Sequence, residues 1–214
     1  MINAENLTAL LIAYLLGSVP SAVWIGKALY DIDVREYGSG NAGATNTFRV
    51  LGKKAGIPVL LMDISKGYLA LQLAMWFGNY LPGTQQFVNF KLALGVAALL
   101  GHIYPVFAGF RGGKGVATLL GILLGVQPVA ALICAGIFLL VLSTSKYVSL
   151  GSMTAALAYP FIIMLVLKET IPSVNIFAMS VSILVLITHQ KNIERLLRGT
   201  ESKVYLFSRR SPKG

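Results

Sequence analysis

The chain has 214 residues, enough for one domain, and 56% of them are apolar while only 12% are charged. With a mean hydropathy of +0.73, that balance excludes an ordinary soluble domain and places the chain in a bilayer. Two His, a single Cys134 and no clustered carboxylates exclude an intrachain disulfide and give no zinc or di-metal site, so no metal or cofactor is expected.

Taking roughly 20 residues as the length that crosses ~30 Å of hydrocarbon, the hydropathy predicts an all-α polytopic membrane bundle of about seven spans. The runs fall near residues 5–28, 55–77, 89–108, 115–127, 129–144, 149–168 and 172–189. The first lacks a basic segment before it and a small-residue cleavage site after it, so it is read as a retained span. The fourth and fifth are short and only Gln127-Pro128 parts them, which leaves a tight turn and a single kinked helix both open.

Cations orient this map. Of the eighteen Lys and Arg, fifteen fall in the connections after the first, third and fifth runs and in the tail, Lys91 and Lys168 fall on the other side, and Lys66 lies inside the second run. Basic residues favour the cytoplasmic side. The N-terminus is therefore expected outside and the C-terminus in the cytoplasm. Residues 1–190 read as a transmembrane domain and 191–214 as a basic cytoplasmic tail, with Lys203 to Gly214 a strip against anionic headgroups.

The same map brings four polar motifs to the cytoplasmic face. Gly38-Ser39-Gly40-Asn41-Ala42-Gly43-Ala44-Thr45-Asn46, followed by Arg49, combines glycines that allow positive φ with side-chain donors, which suits an anion. Gly109-Phe110-Arg111-Gly112-Gly113-Lys114-Gly115 departs from the nucleotide P-loop pattern, since Gly115 rather than Ser or Thr follows the lysine. It reads instead as an anion nest at a helix start, with Arg111 and Lys114 adding charge. The third motif runs from Lys146 to Ser152. His189-Gln190-Lys191-Asn192 is the fourth, where an imidazole could accept a hydroxyl proton and Asn192 could bond a phosphate.

Inside the second run Asp63 and Lys66, three apart on one helix face, are expected to pair, because an unpaired charge there is costly. His102 sits near the cytoplasmic end of the third run, as a structural or a catalytic residue. The His-x4-Asp motif of many acyltransferases is missing: His189 is followed at that spacing by Glu194 and His102 by Phe107.

With these residues assembled, the chain resembles the bacterial acyl-phosphate:glycerol-3-phosphate acyltransferase family of integral membrane enzymes. The resemblance rests on Gly17 to Ser21, Gly38 to Asn46 with Arg49, Asp63 to Gly67, Gly101 to Phe107, Gly109 to Thr118, Tyr147 to Ser152 and His189 to Glu194. It implies transfer of a fatty acyl group from acyl phosphate, rather than a coenzyme A or carrier-protein thioester, to the primary hydroxyl of glycerol 3-phosphate. Lysophosphatidate and phosphate would form at the inner membrane of a bacterium. The partners are then the two substrates and membrane lipids, with no nucleic acid.

On that resemblance Lys114, His189, Asn192 and Ser149 are the expected catalytic residues. Ser39, Gly40, Asn41, Gly43, Thr45, Asn46, Arg49, Arg111, Gly112, Gly113 and Ser152 are the expected phosphate ligands. Acyl phosphate is already activated, so positioning and charge stabilisation matter more than a strong nucleophile. Either His189 or the donor's own phosphate takes the hydroxyl proton. The alternative to an enzyme is an anion or phosphoester transporter, or a lipid-phosphate binding protein. Transporters commonly show internal repeats and midplane ionisable residues, whereas here the polar motifs gather at one surface.

Overall fold

The computed structural model describes residues 3–204, and residues 205–214, which carry the end of the expected tail, lie outside the described residues. Within that range the chain is a helical bundle. Helix α1 (Ala4–Gly17) is started by Asn3, whose side chain accepts the Asn6 N–H at 2.8 Å. It stops where Pro20 has no N–H with which to continue the ladder. Helix α2 (Ser21–Tyr30) then departs at 42°, so the first expected span is a broken one.

The first glycine-rich loop leads into the short α3 (Ala44–Val50) and then α4 (Lys53–Gln72). Thr84 caps α5 (Gln85–Ile103) by accepting the Phe87 N–H at 3.3 Å. The second loop opens α6 (Val116–Val126), and α7 (Pro128–Ser145) has its proline in the first turn, where a missing N–H costs nothing. Helix α8 (Val148–Phe161) runs on into a π-helical turn, Ile162–Val166. Helix α9 (Pro172–Thr188) ends at His189, and α10 (Gln190–Leu197) leaves it at 60°.

The span count needs correction. Lys53–Met75, Gln85–Ala108, Pro128–Ser145 and Val148–Val166 are each long and apolar enough to cross a membrane, and the two bent pairs raise the number to at most six. The expected span near 115–127 is α6, which has 11 residues and rises only about 16 Å. Its loop takes the residues before it, and Gln127-Pro128 ends it. Helices α6 and α7 are thus separate, and α6 is an interior helix. Its start lies beside Asn192 through Lys114, while Gln127 at its far end hydrogen-bonds Glu169 in the α8–α9 connection.

Two helix pairs touch backbone to backbone. A Cβ on Gly67 of α4 would lie 2.2 Å from the Thr118 carbonyl oxygen of α6, and one on Gly121 of α6 would lie 1.9 Å from that of Ile64. A Cβ on Gly17 of α1 would likewise lie 1.9 Å from the Ala98 carbonyl oxygen of α5. Small residues let helices approach this far in a membrane. The largest apolar cluster, with Leu71, Ile122, Tyr159, Ile163 and Phe177 among its members, joins α4 to α9. Leu61, Leu132, Leu140, Leu165, Ile176 and Ile183 face outward, where hydrocarbon would meet them.

Candidate active site

The site is built on the break between α1 and α2. Ending a helix inside a bundle frees carbonyl groups that must find donors. Lys66 of α4 supplies one, its Nζ donating to the Val19 carbonyl oxygen at 2.8 Å. Asp63, one turn earlier, pairs with Lys66 at 2.9 Å and accepts the Ser21 hydroxyl at 3.0 Å. His102 stands 3.7 Å from the same Asp63 oxygen and 3.1 Å from the Thr118 hydroxyl. Asp63 and His102 reach the wall of the central cavity.

His102 is also what the second glycine-rich loop wraps around. Gly112 N–H donates to the Ile103 carbonyl and Gly113 N–H to that of His102, each at 3.2 Å. A Cβ on Gly113 would lie 2.2 Å from His102 Nε2, so only glycine fits there. These amides are therefore engaged within the protein and form no anion nest, which corrects the expectation for Gly112 and Gly113. Arg111 is exposed, and none of the three lines the cavity. What the loop delivers is Lys114.

The first loop is folded around Asn46, which is buried. Its Oδ1 accepts the Ser39 N–H at 2.8 Å and the Ser39 hydroxyl at 3.1 Å, and its Nδ2 donates to the Val34 and Tyr37 carbonyls at 2.7 and 3.1 Å. All the hydrogen-bonding capacity of the amide is engaged, so Asn46 shapes the loop instead of offering a free donor to a ligand. Gly40 N–H likewise donates to Tyr37, at 3.1 Å, and Gly40 stands off the cavity. Ser39, Asn41, Gly43, Thr45 and Arg49 line it.

Arg35 ties the two loops together. It pairs with Asp33 at 2.7 Å and donates to the Ala108 carbonyl, also at 2.7 Å. The hydrogen bond from Arg35 holds the Asp33 carboxyl well below its ordinary range, at about 2.

Between the loops and helices α6 to α10 lies a cavity of about 410 Å³. One end is polar: Ser39, Arg49, Lys114, Ser149, His189, Asn192 and Arg195. The other is apolar: Leu120, Leu123, Ala135, Phe138, Ala156, Tyr159 and Val181. The gradient follows from helix periodicity. On α8 the lining positions 149, 152, 156 and 159 recur at helical spacing and turn from serine to alanine and tyrosine over about 15 Å of axis. On α9 the lining residues Val181, Val185 and His189 make the same change on one face.

At the polar end Lys114 Nζ donates to Asn192 Oδ1. Burial, then the nearby Arg195, push the Lys114 ammonium down to about 8, with Glu201 opposing and Arg49 adding to the fall. His189 places Nδ1 2.8 Å from the Val185 carbonyl oxygen. A carbonyl only accepts, so Nδ1 carries the hydrogen and Nε2 keeps a lone pair. Ser152 lines the cavity with its hydroxyl donating to the Val148 carbonyl at 2.9 Å.

Arg195 and Glu201, which fall in the expected tail and were not among the expected site residues, belong to this wall. Glu201 Oε1 accepts from Ser149 Oγ and Asn192 Nδ2, each at 2.7 Å, and its Oε2 accepts from Arg195 Nε at 2.7 Å. Burial opposes its ionisation, but the bonds from Arg195, Ser149 and Asn192 outweigh this and hold the carboxyl below its ordinary range. The available signal was Gly199. With φ of +69° it ends α10 in a Schellman turn, Thr200 N–H donating to the Arg195 carbonyl at 2.8 Å and Gly199 N–H to that of Leu196 at 3.1 Å. The turn points the chain back at the site.

The family model described as "Glycerol-3-phosphate acyltransferase" matches residues 7–199. A glycerol-3-phosphate acyltransferase of Enterococcus faecalis is 46% identical over 203 residues, covering 91% of this chain and 90% of that protein. The crystal structure of PlsY (YgiH), described as an integral membrane glycerol 3-phosphate acyltransferase, in its glycerol 3-phosphate form superposes with a TM-score of 0.85 at 36% identity. That match covers 96% of this chain and all of the other, 100%. Its lysophosphatidic acid form gives 0.81 at 35% identity, covering 94% and 96% of the two chains.

Proposed function

The chain belongs to the glycerol-3-phosphate acyltransferase family, and we propose on that premise that it moves a fatty acyl group from acyl phosphate to the primary hydroxyl of glycerol 3-phosphate. The observation that carries this reading is the graded cavity, cationic at one end and apolar toward the other. An acyl phosphate is a charged head on a hydrocarbon tail, and one orientation alone satisfies both ends. The tail lies along Leu123, Phe138 and Tyr159, and the mixed anhydride lies at the polar end.

Lys114 and the Ser39 to Thr45 wall hold phosphate oxygens. Arg49, Ser149, Ser152, His189 and Asn192 surround the acceptor. The acceptor hydroxyl oxygen attacks the acyl carbon, the bond from that carbon to the phosphate oxygen breaks, and the phosphate leaves with the electron pair. Cationic and N–H donors fixed in place stabilise the charge that develops. The hydroxyl proton passes to the departing phosphate. His189 leans on a backbone carbonyl through Nδ1, and so lacks the carboxylate that stabilises an imidazolium in base dyads.

The polar end faces the cytoplasm and the chain sits in the bacterial inner membrane. Fifteen of the eighteen cations fall on that side. Helix α6 carries the chain from the site end to the far end even though it is too short to face lipid along a full span. The charge asymmetry puts the N-terminus outside and the C-terminus inside. Labelling of single cysteines placed at residues 80 and 200 in intact cells and in inverted membranes checks this.

The activity test is phosphate release by purified protein in detergent, given palmitoyl phosphate with and without glycerol 3-phosphate, beside palmitoyl-coenzyme A. Acceptor-dependent release with lysophosphatidate formed, and no reaction of the thioester, is the expected result. Binding of glycerol 3-phosphate without turnover from either donor would overturn it in favour of a transporter or binding protein. His189→Gln should retain most turnover and Lys114→Ala should abolish it.

A further inference from the structure

Glu201 is an acid in a cavity that, on the reading above, must hold two phosphorylated substrates. A negative side chain facing phosphate is unfavourable by charge alone, so its presence needs another reason. The side chain is only 6% exposed. Both of its oxygens are engaged, one by Ser149 and Asn192 and the other by Arg195. Asn192 in turn accepts from Lys114. One carboxylate thereby fixes three site side chains directly and a fourth through Asn192.

Each partner keeps capacity for a ligand. Ser149 retains its lone pairs, Asn192 its second N–H, Lys114 two N–H groups and Arg195 the terminal nitrogens of its guanidinium. With Arg49, the lining carries three such cations against Glu201, and the other lining carboxylate, Asp63, is paired with Lys66 at 2.9 Å, so the polar end stays positive. The segment is also tied at both sides. The Schellman turn at Gly199 precedes it, and after it the Val204 N–H donates to the Lys146 carbonyl at 2.8 Å while Lys203 lies 5.6 Å from the centre of the Tyr147 ring. A carboxylate held by three partners and two tethers is part of the wall, and not a plug that swings aside.

We propose that Glu201 is a positioning residue for the acyltransferase site: it orients Asn192 and Arg195, and through Asn192 also Lys114, to receive substrate phosphate, and it holds Ser149 with its lone pairs free to accept from a glycerol hydroxyl. This rests on the acyltransferase reading. It makes residues 199–204 a working part of the site instead of a tail.

The test uses the full chain with Glu201→Ala and Glu201→Gln. Turnover is measured against glycerol 3-phosphate concentration, and the unfolding temperature is measured with and without glycerol 3-phosphate. Glutamine keeps an acceptor for Ser149 and Asn192 but sets an amide N–H against Arg195. Glu201→Ala should lower kcat/KM at least about tenfold, mostly through KM, with Glu201→Gln between it and the unaltered protein. The thermal shift given by glycerol 3-phosphate should shrink in the same order, while the unliganded unfolding temperature of Glu201→Gln stays close to that of the unaltered protein. Kinetics and thermal shift equal to those of the unaltered protein in Glu201→Gln would overturn the proposal, as would higher turnover or tighter binding in either variant, the result expected of a plug. If the unaltered protein shows no turnover, the acyltransferase reading fails on its own, and the thermal shifts still decide the role of Glu201.

Discussion

Lys66 Nζ donates a 2.8 Å hydrogen bond to the Val19 carbonyl oxygen across the gap between α1 and α2. One buried cation thus completes a broken helix and neutralises Asp63 at 2.9 Å. Removing it leaves a carbonyl without its donor and a buried carboxylate with only Ser21 and His102 near it. Lys66→Met should cost about 3–5 kcal/mol, read as a large fall in unfolding temperature in detergent. Adding Asp63→Asn should recover part of that loss, because the stranded charge goes with it.

Asn46 holds the first loop without a free donor for substrate. Asn46→Ala should cost about 3 kcal/mol locally and lower kcat/KM by at least about tenfold as Ser39 loses its anchor. Asn46→Asp should do no better. An aspartate keeps the acceptor for Ser39 but faces the Val34 and Tyr37 carbonyls with oxygens where the amide gave hydrogens. Near-normal kinetics in the aspartate variant would show that those two bonds do not shape the loop.

Lys114 sets an alkaline limit. With its ammonium lowered to about 8, the free protein loses the cation as pH rises past that value. Plots of kcat/KM for glycerol 3-phosphate should fall above about pH 8. Lys114→Arg, charged throughout this range, should remove that fall even where its absolute rate is lower. The stability term runs in the opposite direction. The folded value lies below the ordinary one of 10.5, so the unfolded chain binds this proton more tightly. The resulting cost to folding is present below about pH 8 and fades as pH rises toward 10.5.

Tyr159 is fully buried where α8 meets the apolar end of the cavity, and among the described residues its hydroxyl has no hydrogen-bond partner. Such a group costs roughly 1–3 kcal/mol. Tyr159→Phe should therefore leave the unfolding temperature unchanged or raise it. Tyr159→Ala, which lengthens the apolar end, should shift preference toward longer acyl phosphates. The ratio of kcat/KM across donors of increasing chain length measures this.

What could be read in the sequence was the residues whose chemistry is local. Positive charge, glycine spacing and helix ends brought Lys114, Ser149, His189 and Asn192 to one face, and the structure joins Ser149, Asn192 and Lys114 through a few bonds. Legibility failed where the answer depends on which partner a group finds. Gly112 and Gly113 have the composition of an anion nest, but their N–H groups meet the carbonyls at the end of α5. Asn46 has the chemistry of a ligand, but its amide is engaged by its own loop. Hydropathy overcounted spans at α6 because an apolar run looks the same whether lipid or protein surrounds it. Glu201 was hidden by its neighbours, one of two acids in the basic stretch 191–214, and only the turn at Gly199 returns it to Ser149.

The gradient along the cavity reads amphipathicity, not identity. On the proposed reaction the donor and lysophosphatidate share one outline, a phosphate head on a single acyl chain, and so compete for one space. The protein can favour departure of the product only slightly, and the membrane must do the rest by dispersing it. Net flux would then follow how quickly the leaflet and the next acylating enzyme draw lysophosphatidate away, making the surrounding lipid a participant in turnover and not merely a solvent for the helices.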